Sequence, residues 1–252
     1  MLYAVRYIGS MGKGLTKPQL FECDDGNHYV IKLKENPVGT KVLVNELIAN
    51  RIGNLLGLPV SLGNLIYIPS QIIKMEPFQE GIHFGTLVSP HILRNPPLKL
   101  IERAYNFDCI PGMYVLDNYL TNADRHYENI ILCIKYYGNQ IALIDHSHCF
   151  FSPQWTPPEL LSLTNYDNIL TRGIYSDIAY LVKGPDPFEG WLTRLESIPE
   201  EQLISIVNEI PREWDIVYED RDALLFYLIH RKRKIRFLFT SAKNQFPNWK
   251  EY

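Results

Sequence analysis

Four carboxylates and amides at defined spacing carry the chemistry legible in this chain. Asn122-Ala-Asp124-Arg125-His126-Tyr-Glu-Asn129 places an Asp and, five positions on, an Asn, and a β-like run after them ends in Asp145. Asp124 can accept the proton of an attacking hydroxyl, a role worth ~10²–10⁴ in rate for a positioned general base. The amide oxygen of Asn129 and the carboxylate of Asp145 are hard oxygen donors suited to magnesium. In this order they suit phosphoryl transfer from a metal-bound nucleotide, where catalysis consists of positioning and charge neutralisation. Singly, Asp124 and Arg125 also read as a surface ion pair, and Asp145 as a turn residue.

Two further residues extend the set. Lys32 lies in the strand-like run Tyr29-Val-Ile-Lys-Leu-Lys34, and Glu46 follows fourteen positions later on an amphipathic helix, at the edge of its apolar face. An unpaired carboxylate there would be costly, and a lysine on the sheet below would relieve that cost while orienting nucleotide phosphates. Glu46 reaching solvent is the plain alternative. The loop Gly9-Ser10-Met-Gly12-Lys13-Gly14 lies between two strand-like runs. Its glycines let backbone N–H groups approach phosphate oxygens, and Lys13 adds charge. Hairpin loops use glycine for conformational reasons too, and Gly14 after Lys13 excludes a Walker A loop. Among His126, Cys133, His146, His148 and Cys149 a zinc site is conceivable, though the spacing fits no common zinc pattern.

The elements that must hold these residues change character along the chain. Strands are predicted over Leu2–Ile8, Gln19–Asp24 and His28–Lys34, with a hairpin turn at Asp24-Asp25-Gly26-Asn27. A helix follows from Lys41 to Leu56, with Thr40 as N-cap, Gly57 as C′ residue and Pro59 blocking continuation. Asn64–Ile68 and Gln71–Met75 read as strands, and the looser stretch Pro77–Gly85 as a hinge. Beyond it helices are expected over Met113–Leu120, Glu200–Ile210 and Arg221–Thr240, interrupted by strands Asn129–Ile134 and Gln140–Ile144. The expectation is an α+β fold of two lobes: a strand-rich N-lobe over residues 1–76, and a hinge with a helical C-lobe over 77–252.

Bulk properties narrow the classes. The 252 residues are 46 % hydrophobic and 21 % charged, with a net charge of −3, which speaks against a dominant nucleic-acid footprint. Cys23, Cys109, Cys133 and Cys149 form no CxxC pair and read as reduced thiols. No signal peptide or bilayer-length apolar run is recognised, so a cytoplasmic, non-membrane protein is expected. Arg231-Lys-Arg-Lys-Ile-Arg236 falls within a helical pattern and reads as the polar face of a helix, with docking of an acidic partner or nucleic acid as the alternative.

The sequence resembles the HipA-like kinases, in the short form lacking an extra N-terminal subdomain. The resemblance rests on Asn122-x-Asp124-Arg125-His126-x-x-Asn129, on Leu143-Ile-Asp145-His with Cys149-Phe150, and on Asp25-Gly26-x-x-Tyr29-Val-Ile-Lys32. Asn45-Glu46, Gly57-Leu-Pro59-Val60 and Gly81-Ile-His83-Phe-Gly85 fit as well, over about residues 9 to 151. The Asp-Arg-His-x-x-Asn string is also similar to the phosphoinositide-3-kinase-like branch. The resemblance implies a protein-kinase-like fold with magnesium and ATP in a cleft, and transfer to a protein Ser or Thr hydroxyl. Lys32 would orient phosphates with Glu46 as its partner, Asp124 would be the base, and Asn129 and Asp145 the magnesium ligands. Backbone groups around Met75, Glu76 and Phe78 would face adenine. Ser10, or less so Thr16, would be a regulatory phosphate-loop residue, and an antitoxin is a candidate partner. A kinase of a small molecule or lipid, or a nucleotide- or partner-binding module without catalysis, are the other readings.

Overall fold

The computed structural model describes residues 1–12, 14–73 and 78–250. Lys13, Met75 and Glu76 of the expected nucleotide site lie outside the described residues. The chain begins with β1 (Leu2–Ser10), β2 (Gln19–Cys23) and β3 (His28–Lys32), then α1 (Lys41–Leu56), β4 (Gly63–Ile68) and β5 (Gly81–Leu87). These strands close into a barrel of order β1-β2-β3-β5-β4, antiparallel except where β1 meets β4. Closure leaves no edge strand exposed. Alternate residues of β2 and β3 point inward, so Phe21, Cys23, Tyr29 and Ile31 join Ala4, Leu33, Ile66 and Ile68 in the barrel core.

Two sequence expectations change here. The run Gln71–Met75 is not a described strand: Ser70–Ile72 forms a 3₁₀ turn. Conversely, the stretch read as a hinge becomes β5, whose Gly81–Leu87 pairs with both β3 and β4, so the barrel draws a strand from beyond residue 76. A Cβ on Gly85 would lie 2.5 Å from Ile66 Cδ1, so this glycine is a packing requirement within a strand, not a loop signal.

Helix α1 keeps its expected bounds. Gly57 adopts the left-handed conformation (φ 76°) and its N–H returns to Asn54 O, which ends the helix. Thr40 differs from expectation, because it is itself helical (φ −74°) and its side chain makes no cap hydrogen bond. The helix is buried on nearly all sides: Val42, Leu43, Val44, Leu47, Ile48 and Ile52 pack into the larger core, and Leu55 is exposed instead of apolar-facing. Since α1 packs with the helical remainder while touching β4 and β5, it couples the barrel to the rest of the chain.

The remainder runs β6 (Ile92–Arg94), α2 (Leu98–Ile101), α3 (Ile110–Tyr119), β7 (Ile130–Lys135) and β8 (Gly138–Leu143), then α4 (Pro157–Leu163), α5 (Ile174–Ala179) and β9 (Lys183–Pro185). It ends in α6 (Glu189–Glu196), α7 (Glu200–Asn208), α8 (Tyr218–Ser241) and β10 (Asn248–Lys250). Strands β6, β7 and β8 form a small antiparallel sheet, and α8 packs against α3, α4, α6 and α7. Among the described residues no helix is long and apolar enough to cross a membrane. The four cysteines are free and buried.

Candidate active site

Two strands and one helix bring three charged residues together. Lys32 ends β3, Glu46 lies mid-way along α1, and Asp145 follows β8 by two residues. Lys32 Nζ donates to Glu46 Oε1 and, at 2.8 Å, to Asp145 Oδ1. Glu46 is only 3 % exposed, so this lysine is what makes its burial tolerable. Burial works against the charge on Lys32, but Glu46 and Asp145 outweigh it and hold the ammonium above the ordinary lysine pKa. Burial likewise opposes ionisation of Asp145 and Glu46, and Lys32 reverses it, so both carboxyls titrate below their usual range. Ser147 adds to this at Asp145: its Oγ donates to Oδ1 at 2.7 Å and its N–H at 3.3 Å. Asp145 has φ 55°, an uncommon conformation for a non-glycine residue, and it is over-determined by these bonds.

Asp124 lies on the loop between α3 and β7, with a side chain about half exposed. Asn129 Nδ2 donates to Asp124 O at 3.0 Å, which closes this loop, and sits 3.2 Å from His126 Nε2. Because a carbonyl can only accept, that bond assigns the amide nitrogen and leaves Asn129 Oδ1 as the ligand end. His148 Nδ1 approaches Asp124 Oδ2 to 3.4 Å, and His126 Nε2 to 3.8 Å.

Beneath the two halves lies Arg125, wholly buried and paired in parallel with Asp117 of α3, Nε to Oδ2 and Nη2 to Oδ1 both at 2.9 Å. This corrects the surface ion pair with Asp124 considered above. The remaining nitrogen, Nη1, donates to Asn129 O (3.2 Å) and Ile144 O (2.8 Å), while Ile144 N–H donates to Asn129 O (3.1 Å). One guanidinium therefore ties the residue before Asp145 to Asn129 itself. Asn122 Nδ2 takes the other face of Asp117 Oδ1 at 2.9 Å.

The segment after Asp145 is pinned by Asn45, the neighbour of Glu46 on α1. Asn45 Nδ2 donates to the carbonyls of Ser147 (2.6 Å), Cys149 (3.2 Å) and Ser152 (3.1 Å), and Asn45 Oδ1 accepts from Trp155 Nε1 (2.7 Å). A capping box of Thr156 and Glu159 then starts α4. His146 faces Glu46, Nδ1 to Oε2 at 3.8 Å, and is buried. Asp117 and Ser147 escaped the sequence reading, which named Asn45 only within a motif and His146 only as a zinc alternative. The signal available for Asp117 and Asn45 was a polar residue on an otherwise apolar helix.

Other expected residues fall elsewhere. Gly9 and Ser10 end β1, and the hairpin loop to β2 closes on itself: Met11 N–H donates to Pro18 O and Gly12 N–H to Ser10 Oγ at 3.2 Å. Gly12 and Gly14 both take positive φ (69° and 97°). Ser10 is exposed and Thr16 buried. Phe78 packs edge-on against Tyr7 and Phe21 in the barrel cluster. The zinc alternative finds no geometry: Cys133 and Cys149 are buried, and no three His, Cys, Asp or Glu among the described residues are grouped to hold a metal. The basic run of α8 is paired within the chain. Arg231 is buried and donates to Asn118 O and Tyr166 O, Lys232 donates to Ile198 O, and Arg233, Lys234 and Arg236 pair with Glu200, Asp167 and Glu189 with Glu196.

The family model of HipA-like kinases matches residues 4–246. A search among curated proteins finds no sequence match. Among solved structures, the chain is similar to the proinflammatory kinase CtkA of Helicobacter pylori, with a TM-score of 0.62 at 18 % identity over 94 % of each chain. It is also similar to hydra Fam20 solved with sugar (TM-score 0.56, 12 % identity, 96 % of this chain and 87 % of that one). The Golgi casein kinase with Mn and ADP bound matches at a TM-score of 0.54 and 11 % identity, over 96 % and 74 %. At these identities the likeness shows the fold, which is that of kinases with mixed α/β content.

Proposed function

Since this chain belongs to the HipA-like kinase family, we propose that it transfers the γ-phosphoryl group of ATP, with magnesium, to a protein Ser or Thr hydroxyl. The observation that carries the proposal is the paired contact of Lys32 with Glu46 and Asp145, set beside the Asp124–Asn129 loop by Arg125. The barrel and the helical remainder form the two lobes in this reading, and the cleft between them takes the nucleotide. The β1–β2 loop would cover the phosphates.

The donor set fits a divalent cation. Among the described residues, the hydrogen bonds reaching Asp145 are drawn to Oδ1 and that of Asn129 to its Nδ2, which leaves Asp145 Oδ2 and Asn129 Oδ1 as oxygens that could ligate. Glu46, Asp124 and Asp145 outnumber Lys32 in charge, an excess that a bound cation would offset. Magnesium commonly takes one or two protein oxygens and completes its shell with phosphate and water, so two ligands suffice. When bound, the metal supplies charge neutralisation on the phosphates. The Mn- and ADP-bound Golgi kinase supports nucleotide and divalent-metal use by this fold. Lys32, kept charged by its two carboxylates, would hold a phosphate oxygen. Asp124, half exposed and held at its backbone by Asn129, would accept the acceptor hydroxyl's proton on Oδ1 or Oδ2.

The test is incubation of the purified chain with magnesium and γ-labelled ATP, wild type beside Asp124→Asn, with mass spectrometry of the protein and assay of released phosphate. Transfer in the wild type and a loss of ~10² or more in the variant, with ATP binding retained, is expected. Wild-type turnover in Asp124→Asn would sink the assignment.

A further inference from the structure

The histidine three positions after Asp145 is not used by the scheme above, yet it touches the side chain on which that scheme depends. His148 Nδ1 lies 3.4 Å from Asp124 Oδ2 and 3.1 Å from Ser147 Oγ, and Ser147 Oγ lies 2.7 Å from Asp145 Oδ1. A continuous polar chain, Asp145–Ser147–His148–Asp124, thus joins the candidate metal carboxylate to the candidate base. Its direction follows from counting protons. Asp145 Oδ1 accepts from the Lys32 ammonium and faces Ser147 Oγ, and a serine hydroxyl has one hydrogen, so the Ser147 proton goes to Asp145. Ser147 Oγ then presents lone pairs to His148, and His148 Nδ1 must carry the hydrogen. Among the described residues that single N–H is shared between two acceptors, Ser147 Oγ and Asp124 Oδ2, in the neutral ring as in the charged one.

His126 does not compete for this role. Asn129 Nδ2 lies 3.2 Å from His126 Nε2 and has its nitrogen assigned by the bond to Asp124 O, so Nε2 is the acceptor of that contact. A ring nitrogen that accepts from Asn129 has no proton to offer Asp124, and it also lies farther away, at 3.8 Å. His148 is therefore the histidine able to donate to this carboxylate.

We propose that His148 is a positioning residue for phosphoryl transfer: its Nδ1–H holds Asp124 Oδ2, orients the carboxylate so that Oδ1 faces the acceptor hydroxyl, and is itself oriented by Ser147 on Asp145. The proposal rests on Asp124 being the base. The 3.4 Å separation is at the long limit of a hydrogen bond. The half-exposed carboxylate of Asp124 has a freely rotating side chain unless something holds it, and loss of such alignment costs up to ~10² in rate.

The experiment compares His148→Ala, His148→Asn and His148→Gln with wild type and Asp124→Asn, using Mg-ATP and measuring both phosphate release to water and label on the chain. Asparagine places an amide N–H where Nδ1 stood, whereas glutamine reaches the position of Nε2. The expected result is a kcat about 10- to 100-fold lower in His148→Ala with KM for ATP within about twofold of wild type, most of it recovered by Asn and not by Gln. A kcat within about twofold of wild type in His148→Ala overturns the proposal. So does equal loss in the Asn and Gln variants, which also decides the matter if the alanine variant does not fold. Should wild type transfer nothing, or Asp124→Asn transfer normally, the phosphoryl-transfer reading itself fails. That outcome is distinct from failure of the histidine's role and takes the proposal with it.

Discussion

Replacing Asp117 by Leu, Arg125 by Met, and both together separates a buried ion pair from the backbone it organises. The pair is fully desolvated, 0 % and 1 % exposed, with two parallel bonds of 2.9 Å. Burial alone would drive the guanidinium towards neutrality, and Asp117 more than compensates, holding it above its usual pKa. Either single substitution leaves the other charge stranded, which costs ~3–5 kcal/mol where a buried pair is broken. That is a large share of the ~5–15 kcal/mol that typically stabilises a domain. The double variant strands no charge. It still orphans the Asn122 amide nitrogen and Ile144 O, at ~1–3 kcal/mol for each unsatisfied buried group. Asn129 O keeps the Ile144 N–H. The double variant is therefore expected to be at least as stable as the worse single one, with a coupling of ~2 kcal/mol or more. Urea unfolding read by tryptophan fluorescence, with midpoints compared at a common m, measures it. Costs that simply add would refute the claim that the pair acts as a unit.

Two further outcomes are expected. Asn45→Leu should cost ~2–4 kcal/mol by orphaning Trp155 Nε1 and the carbonyl of Ser147, with faster hydrogen exchange confined first to residues 147–155. Asn45→Asp should cost no less, because a carboxylate would face three carbonyl oxygens; native-like exchange in either variant would contradict this. His83 is fully buried, its Nδ1 accepts from Lys34 N–H, and burial followed by the Lys34 ammonium pushes its pKa from 6.5 down to about 3. Its folded pKa being the lower, the folded state binds fewer protons. Its contribution is whole above pH 6.5 and shrinks towards pH 3 by as much as ~1.4 kcal/mol per unit. His83→Asn, which retains an acceptor, should show a shallower acid dependence in urea midpoints measured across that interval, and superimposable pH profiles would count against it.

Much of the site was legible because its residues are polar where the local pattern demands apolar ones. Glu46 stands out at the edge of the apolar face of its helix, where a cation would offset its burial, which points to Lys32 across the sheet. Asp124 and Asn129 share one loop, and a bond within five residues is a local matter that spacing can indicate. The family followed from these motifs. The barrel was less legible. Period-two alternation identified β2 and β3, but β5 was masked by Gly81 and Gly85, because a strand glycine required by a facing isoleucine is indistinguishable in sequence from a loop glycine. The parallel contact of Leu2 and Tyr3 with Ile66 and Tyr67 that closes the barrel spans some sixty residues and leaves no periodic trace.

The sequence by itself determined which residues could do chemistry and the order in which they occur, since residue type and short spacing are local properties. The tertiary structure alone decided which of them meet. It turned Arg125 inward to Asp117 and away from Asp124, and used its last nitrogen to fasten the Asn129 and Ile144 carbonyls. It spent the basic run of α8 on buried carbonyls and on acids from other segments. It also brought His148 to Asp124 and Asn45 to the segment beyond Asp145, over separations of 24 and about 100 residues. Buried donors and acceptors must find partners wherever the fold brings them. That requirement acts in space and not along the chain, so pairings of this kind appear only when the chain is folded.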